Sequence, residues 1–223
     1  MPVLHVLKVF VGADGRGGNP LGVFMDGRSV PDEFRQRMAA ELGFSETVFV
    51  DDVEHGDVRI YTPASELPFA GHPLVGTSWL AHHLGHPVEI LRPPAGEVPT
   101  WRAHGLTWIK GRAEWSPEME FRELERPQDV DALWGPPGPG FTYVWAWEDA
   151  EAGVVRARVF APEHGIEEDE ATGSGAVSLA ALVGRDLVIR QGEGSLLCAR
   201  PSSDGTVDVG GEVVLVDERE HSV

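Results

Sequence analysis

Hydrophobic and polar residues are distributed along this chain in a pattern that predicts short strands surrounding a few helices. The opening segment MPVLHVLKVFV predicts an amphipathic first strand. In the segment VPDEFRQRMAAELG, the apolar residues Phe34, Met38 and Leu42 recur at every fourth position, which predicts a helix with one buried stripe. Two later runs, around Leu74 and Ala176, are apolar on nearly all sides, so we predict that both form buried helices.

These two apolar helices belong to an internal repeat. The segment VRIYTPASELPFAGHPLVGTSWLAHHLG starts at Val58, and ARVFAPEHGIEEDEATGSGAVSLAALVG starts at Ala157. Each has an Arg-aliphatic-aromatic-small-Pro strand, a loop with acidic residues, a glycine and an apolar helix. The strands that follow are short and joined by turns, of which Asp204-Gly205 and Gly210-Gly211 are hairpin signals, so mostly antiparallel sheets are expected.

The repeat predicts an α+β architecture in which a sheet rolls around one central helix, built twice about a pseudo-twofold axis. We place the first unit at residues 1–115 and the second at residues 116–223. The front of the second unit contains fewer strand candidates, so this unit is expected to be the smaller one.

The two repeated helices predict an anion site in the cleft between the units. If both N-termini point into the cleft, the free N–H groups of Gly71-His72 and Gly173-Ser174 meet there and suit a carboxylate. The alternative interpretation is that Thr172 or Ser174 merely caps a structural helix.

His72 stands at the predicted start of the first of these helices. Proline favours the first helical position, so the helix is expected to begin at Pro73 with His72 as its cap. Metal binding is the alternative role for this histidine, but the sequence contains neither an HExxH pattern nor a cysteine cluster. We therefore interpret His72 as a hydrogen-bonding or proton-carrying group and predict no metal.

Three polar residues near the predicted cleft are candidates for chemistry. Glu46 directly precedes the apolar strand of FSETVFV, where it is either a proton carrier at the mouth of the strand or a surface residue. Asp169 precedes the second helix and could cap it or hold a ligand's amino or hydroxyl group. Asn19 precedes Pro20 and could form a plain turn or direct its amide to a ligand carboxylate.

Composition restricts the partners and the compartment. The chain has 223 residues and a formal net charge of −18, and such an acidic surface argues against nucleic-acid binding. No apolar stretch approaches the roughly 20 residues that a membrane span needs. Cys198 is the only cysteine, so no internal disulfide can form and a cytoplasmic location is expected.

Taken together, five motifs resemble the PhzF-like isomerase family of phenazine biosynthesis. They are GGNPLGVF, FSETVFV, RIYTPASELPFAGHPLVG, RVFAPEHGIEEDEATGSGA and VDVGGEVVLV, in family order across nearly the whole chain. The resemblance implies the diaminopimelate-epimerase fold, a homodimer, and isomerisation of a dihydro-hydroxyanthranilate by one glutamate without cofactor or metal. It implies that Glu46 is the catalytic acid/base, that His72, Asp169 and Ser174 lie in the substrate site, and that Asn19 with the backbone of Gly71 and Gly173 binds the substrate carboxylate.

Departures from the family pattern keep other functions open. Glu170 stands where the family usually has proline, and the second unit is shortened between about Pro117 and Trp147. A non-catalytic protein that binds small acids is therefore the main alternative to a cofactor-independent isomerase acting on a small carboxylated metabolite. An epimerase with two thiols is disfavoured because Ala70 and Ala171 occupy the positions where cysteines would be needed.

Overall fold

The computed structural model describes residues 1–221. Its α-helices in that range are α1 (Asp32–Leu42), α2 (Gly71–His83), α3 (Pro127–Asp131) and α4 (Gly173–Val183). Short 3-10 helices lie at Gly27–Ser29, Ala113–Trp115 and Pro162–His164. The strands are β1 (Val3–Val11), β2 (Gly17–Phe24), β3 (Glu46–Asp52), β4 (Asp57–Tyr61), β5 (Glu66–Leu67), β6 (Ile90–Leu91), β7 (Val98–Ala103), β8 (Leu106–Arg112), β9 (Glu120–Glu123), β10 (Thr142–Asp149), β11 (Val154–Ala161), β12 (Ile166–Asp169), β13 (Leu187–Gln191), β14 (Ser195–Pro201) and β15 (Thr206–Glu220). The predicted α+β class is confirmed, and none of the described helices is long and apolar enough to span a membrane.

The last strand joins the two halves of one continuous sheet. Residues 206–211 of β15 pair with β8, and residues 207–210 also pair with β14 on the other side. Residues 212–220 of β15 then pair with β1. The sheet therefore runs unbroken in the order β5-β4-β3-β2-β1-β15-β14-β13-β11-β10-β9. Most neighbours are antiparallel, as expected, but the pairs β2–β3, β9–β10 and β11–β13 are parallel.

The internal repeat is visible in the strand registers. Arg59 of β4 lies opposite Phe49 of β3, and Arg158 of β11 lies opposite Val144 of β10. The front of the second copy is the smaller one, because α3 has only 5 residues where α1 has 11. The division at residues 115 and 116 stays a prediction.

The two glycines of β15 were predicted to form a hairpin turn, and that prediction was wrong. Gly210 and Gly211 lie inside the uninterrupted strand β15. A Cβ on Gly210 would collide with the ring of Trp108, and one on Gly211 would collide with the ring of Phe10. Glycine is needed there for close aromatic packing rather than for a turn. The other signal, at Asp204-Gly205, does lie in the turn between β14 and β15.

The repeated helices α2 and α4 occupy the centre of the core. Leu74 and Val75 of α2 and Val177 and Leu179 of α4 are completely buried. Helix α2 packs against β1, β8 and β15, while α4 packs against β14, β15 and β8. The prediction of full burial was wrong for the end of α4, where Leu182 is 65 % exposed.

Helix α1 packs through the predicted stripe against a separate cluster. Met38 is buried there with Leu4 and Phe24, and Phe34 and Leu42 pack at the margin of the cluster. The predicted face of this helix is therefore confirmed.

The first residues of α2 and α4 touch backbone to backbone. A Cβ built on Gly71 would lie 2.6 Å from the carbonyl carbon of Gly173. A Cβ built on Gly173 would lie 2.7 Å from the amide nitrogen of His72. Side-chain carbons do not approach other atoms that closely, so this contact requires glycine on both helices. The predicted meeting of the two helix ends is confirmed.

Replacing Gly71 by alanine should destabilise the protein, because the added methyl group has no room beside Gly173. We expect the free energy of unfolding to fall by about 1–3 kcal/mol, the usual cost of overpacking, in urea denaturation. Gly135→Ala is the matched control, since a Cβ there meets nothing within 4 Å. Equal stabilities for the two variants would contradict the contact.

Candidate active site

Helix α2 begins two residues earlier than the sequence analysis predicted. It starts at Gly71 with Ala70 as N-cap, so His72 is the second helical residue rather than the cap. Helix α4 starts at Gly173 with Thr172 as N-cap. Neither N-cap residue makes a side-chain cap hydrogen bond, so the alternative in which Thr172 merely caps the helix was wrong. Two helix N-termini with uncapped N–H groups therefore face each other, an arrangement that suits an anion.

Glu46 and His72 lie together beside these helix ends. Glu46 is the first residue of β3 and is only 9 % exposed, so it is not the surface residue of the alternative interpretation. Its Oε2 atom lies 3.3 Å from Nδ1 of His72. Oε2 of Glu46 and Nε2 of His72 are both buried and have no hydrogen-bond partner among the described residues. Buried polar atoms are rarely left unpaired in native proteins, so two at one place indicate a functional site.

Burial determines the protonation of this pair. Burial raises the pKa of Glu46 well above its ordinary value, and the negative charge of Asp169 adds to the rise. Burial also lowers the pKa of His72 to about 3, and a hydrogen bond to the backbone of Pro20 opposes this only in part. The imidazole is therefore neutral near pH 7, so its contact with Glu46 is not an ion pair.

Asp169 is held by side chains from both halves of the chain. Its Oδ1 accepts hydrogen bonds from Nδ2 of Asn19 (2.7 Å) and Oγ of Ser45 (3.2 Å). Its Oδ2 accepts one from Oγ1 of Thr172 (2.6 Å). Burial raises the pKa of Asp169, and these hydrogen bonds oppose the rise. This carboxyl group is therefore rigidly positioned close to Glu46.

Asn19 contacts protein groups with its whole amide. Besides Asp169, its Nδ2 donates to the carbonyl of Ala171 (2.9 Å), and its Oδ1 accepts from Ser45 (3.2 Å). In this structure, Asn19 holds the loop before α4 in place through these hydrogen bonds. Its predicted contact with a substrate carboxylate stays a prediction.

Sequence reasoning overlooked two of the residues that hold this loop. Gln191 is completely buried at the end of β13 and donates to the carbonyl of Asp169 (2.8 Å) and to Oγ1 of Thr172 (2.9 Å). Its one sequence signal is a polar residue at an inward-facing position of LVIRQ. Ser45 stood in the FSETVFV motif next to Glu46, but its side chain was assigned no role.

A small cavity lies between the two halves at these residues. It measures about 40 Å³, which is room for a few water molecules. Polar groups line one part of it and apolar side chains line the rest. They are Glu46, Thr62, Asp169, Thr172 and Ser174, with Leu67, Phe69, Ala70, Pro117, Phe141, Ala161 and Ile166.

The cavity has a carboxyl group on the β3 side and an aromatic ring at the matching place of the second half. Glu46 lies three residues before Phe49, the partner of Arg59, and Phe141 lies three residues before Val144, the partner of Arg158. The repeat therefore makes Phe141 the counterpart of Glu46. The second half therefore has no carboxyl group at the position that repeats Glu46, although its Asp169 lines another part of the cavity.

A larger groove of about 930 Å³ lies apart from this cavity. Its charges are already paired, as in Arg156 with Asp131 (2.7 Å) and Arg190 with Glu148 (2.8 Å). Glu46 lines the smaller cavity and not this groove, so we place the candidate site in the smaller cavity. Within residues 1–221, no group of three or more His, Cys, Asp or Glu side chains is arranged to hold a metal ion.

Comparisons with known proteins agree with this geometry. The family model described as phenazine biosynthesis-like protein matches residues 8–108. The trans-2,3-dihydro-3-hydroxyanthranilate isomerase of Pseudomonas aeruginosa is 31% identical over 220 residues, covering 79% of this chain and 78% of the relative.

Solved structures show the same fold. A Bacillus anthracis phenazine biosynthesis protein of the PhzF family superposes with a TM-score of 0.79 at 20% identity, over 100% of this chain and 99% of the other. A hydroxyproline epimerase from Agrobacterium vitis superposes with a TM-score of 0.64 at 11% identity, over 98% of this chain and 91% of the other. The expected epimerase-like fold is confirmed.

Replacing Glu46 by glutamine should stabilise the folded protein at neutral pH. Because the folded-state pKa is raised, the unfolded chain loses this proton at lower pH than the folded one, so stability is lost as pH rises above the ordinary value of 4.5. Glutamine is neutral at every pH and removes that loss. We expect urea denaturation at pH 4 to 8 to give a higher free energy of unfolding and a weaker decline with pH than the native chain shows. Exposed Glu118→Gln is the control, and a less stable Glu46→Gln at pH 7 would contradict the assignment.

Proposed function

This chain belongs to the PhzC/PhzF family of phenazine biosynthesis-like proteins and is an isomerase, and from that premise we propose how its site works. Glu46 moves a proton between two carbons of a small carboxylated, cyclic metabolite. The observation that carries the proposal is the buried Glu46 carboxyl group beside two uncapped helix N-termini.

Glu46 supplies the acid/base chemistry of the proposed reaction. It removes a proton from a ring carbon next to an electron-withdrawing group and leaves a delocalised anion. It then returns the proton to a different carbon, so the net change is isomerisation without oxidation. The raised pKa supports this role, because a general acid/base works best when its pKa lies near the working pH. The neutral ring of His72, at 3.3 Å, orients the carboxyl group.

The helix ends bind the charged part of the substrate. The described residues that line the cavity include no lysine or arginine. A substrate carboxylate and the developing negative charge must therefore be stabilised by the N–H groups at the starts of α2 and α4. Ala70 and Ser174, the neighbours of Gly71 and Gly173 in the chain, lie on the cavity wall and bring both helix starts close to a ligand.

The counterpart of Glu46 favours isomerisation over epimerisation. Inverting a stereocentre with two bases needs one acid/base group on each side of the substrate. The position that repeats Glu46 in the second half carries Phe141, and Ala70 and Ala171 stand near the two helix caps where thiols would be needed. The carboxyl group that the second half does supply, Asp169, is already engaged by Asn19, Ser45 and Thr172. One acid/base on one face fits a proton that leaves and returns on the same side of a ring.

The substrate class follows from the relatives and from the cavity. The curated relative is named for trans-2,3-dihydro-3-hydroxyanthranilate, a cyclic carboxylate, and we propose a substrate of that class. Ligand pockets usually measure roughly 300–1,000 Å³, so the walls of this cavity must move apart to admit such a ring. The apolar wall that includes Pro117 and Ile166 fits the faces of the ring.

We also propose that the protein acts as a homodimer in the cytoplasm and binds neither nucleic acid nor membranes. Exposed apolar residues such as Leu182 (65 %) and Val216 (55 %) support a partner subunit. The single cysteine and the acidic surface support the compartment and the lack of nucleic-acid binding.

Replacing Glu46 by glutamine should abolish proton transfer while leaving ligand binding intact. With trans-2,3-dihydro-3-hydroxyanthranilate in deuterated water, we expect product formation and deuterium uptake to fall by about 10²–10⁴-fold, the usual contribution of a general acid/base. NMR and mass spectrometry measure both. The affinity for 3-hydroxyanthranilate should change little, and Glu118→Gln should remain fully active.

Undiminished exchange in Glu46→Gln would refute the role of Glu46. A native protein that binds 3-hydroxyanthranilate tightly but exchanges no proton would favour the non-catalytic acid-binding alternative.

A further inference from the structure

Glu170 follows Asp169 in the chain, yet it does not line the cavity. Its carboxylate instead accepts the N–H of Glu193 with both oxygens, at 3.0 and 2.9 Å. It also accepts the hydroxyl of Ser195 at 2.7 Å. A Cβ on Gly192 would collide with the Glu170 carboxylate, so the turn between β13 and β14 closes tightly on this side chain. The bonds are charge-assisted, which makes them stronger than neutral ones.

Ser195 connects Glu170 to the first half of the chain through a second hydrogen bond. While its hydroxyl donates to Glu170, the same oxygen accepts the N–H of Gly18 at 2.8 Å. Gly18 directly precedes Asn19 in β2, and Asn19 donates to Asp169 at 2.7 Å. A closed ring results, which runs from Asp169 through Glu170, Ser195, Gly18 and Asn19 back to Asp169.

The ring links parts that are far apart in sequence. Gly18 and Ser195 are 177 residues apart, and Asn19 and Asp169 are 150 residues apart. Backbone packing reinforces the link, because a Cβ on Gly17 would collide with the backbone of Gly194 and Ser195. Two connections therefore fix the position of Asp169 relative to β2: its own hydrogen bond to Asn19, and the path through Glu170 and Ser195 to Gly18.

We propose that Glu170 is a positioning residue that acts through Ser195 to hold Asn19 against Asp169 across the two halves. We call this set of five residues the clamp: Gly18, Asn19, Asp169, Glu170 and Ser195. Glu170 itself touches no substrate. Its effect on turnover rests on the proposed isomerase function, but the clamp itself does not.

The charge of Glu170 has a second effect on the clamp. It contributes to the raised pKa of Asp169, in which burial is the largest cause. The other ionisable groups whose charges couple to Asp169 are Glu46 and Tyr143. Glu170 therefore acts on the pKa of Asp169 in two opposing directions, because its charge raises this pKa while the Asn19 hydrogen bond that the clamp maintains lowers it.

Two variants separate the hydrogen bonds from the charge. Glu170→Gln keeps the shape of the side chain but removes the charge and one acceptor. Ser195→Ala keeps the charge and cuts only the link to Gly18. Glu167→Gln is the matched control, because Glu167 is exposed on the same strand, β12, and loses the same charge.

Amide hydrogen exchange measures the clamp without any substrate. In Glu170→Gln we expect the amides of Glu193 and Gly18 to exchange at least about tenfold faster, as local opening becomes easier. In Ser195→Ala we expect faster exchange at Gly18, with Glu193 remaining protected. Glu167→Gln should match the native protein in every measurement. Turnover, measured as in the preceding section, should fall in both clamp variants through kcat.

Unchanged protection of Gly18 in folded Ser195→Ala overturns the clamp by itself. So does unchanged protection of Glu193 and Gly18 in folded Glu170→Gln, or an equal change in Glu167→Gln. If the native chain catalyses no proton exchange but the amides respond as expected, the proposed function fails and the clamp stands.

Discussion

The backbone contact between the first residues of α2 and α4 constrains the rest of the molecule. Two helix N-termini carry like partial charges, so bringing them into contact is unfavourable unless negative charge lies beside them. The structure places the carboxyl group of Asp169 there, together with the acid Glu46 and space for an anionic ligand. The contact also requires glycine at both helix starts, since any Cβ at Gly71 or Gly173 would press on the opposite backbone. One geometric requirement therefore accounts for the glycines, the buried acids and the absence of side-chain caps.

Such a contact persists only if the two halves are held rigidly. The sheet supplies this on one side, because β15 pairs first with β8 and β14 and then with β1. The hydrogen bonds between Asn19 and Asp169, and between Gly18 and Ser195, supply it at the site. Buried hydrogen bonds depend steeply on distance and angle, so small shifts between the halves are resisted. The two repeated halves therefore keep a fixed relative position, and the cavity between them keeps its shape.

The sequence predicted those features that depend on local pattern or on the repeat. The repeat located both helix ends and Glu46, and the spacing of Phe34, Met38 and Leu42 located the packed face of α1. Features that depend on distant partners could not be predicted. Gly210-Gly211 has the local signature of a turn, and only the ring of Trp108 from another strand shows its real purpose. Gln191 gave almost no signal, because its partners lie in a loop around 20 residues away.

Two buried polar atoms at the site lack hydrogen bonds within residues 1–221 and therefore destabilise the folded protein. Oε2 of Glu46 and Nε2 of His72 are buried without hydrogen bonds from the described residues, and each such atom typically costs about 1–3 kcal/mol. An apolar side chain avoids this cost, as Phe141 does at the matching position of the second half. A ligand that completes the hydrogen bonds of Glu46 and His72 would offset the cost on the other side. The asymmetry between Glu46 and Phe141 therefore supports the proposal that Glu46 carries the acid/base chemistry.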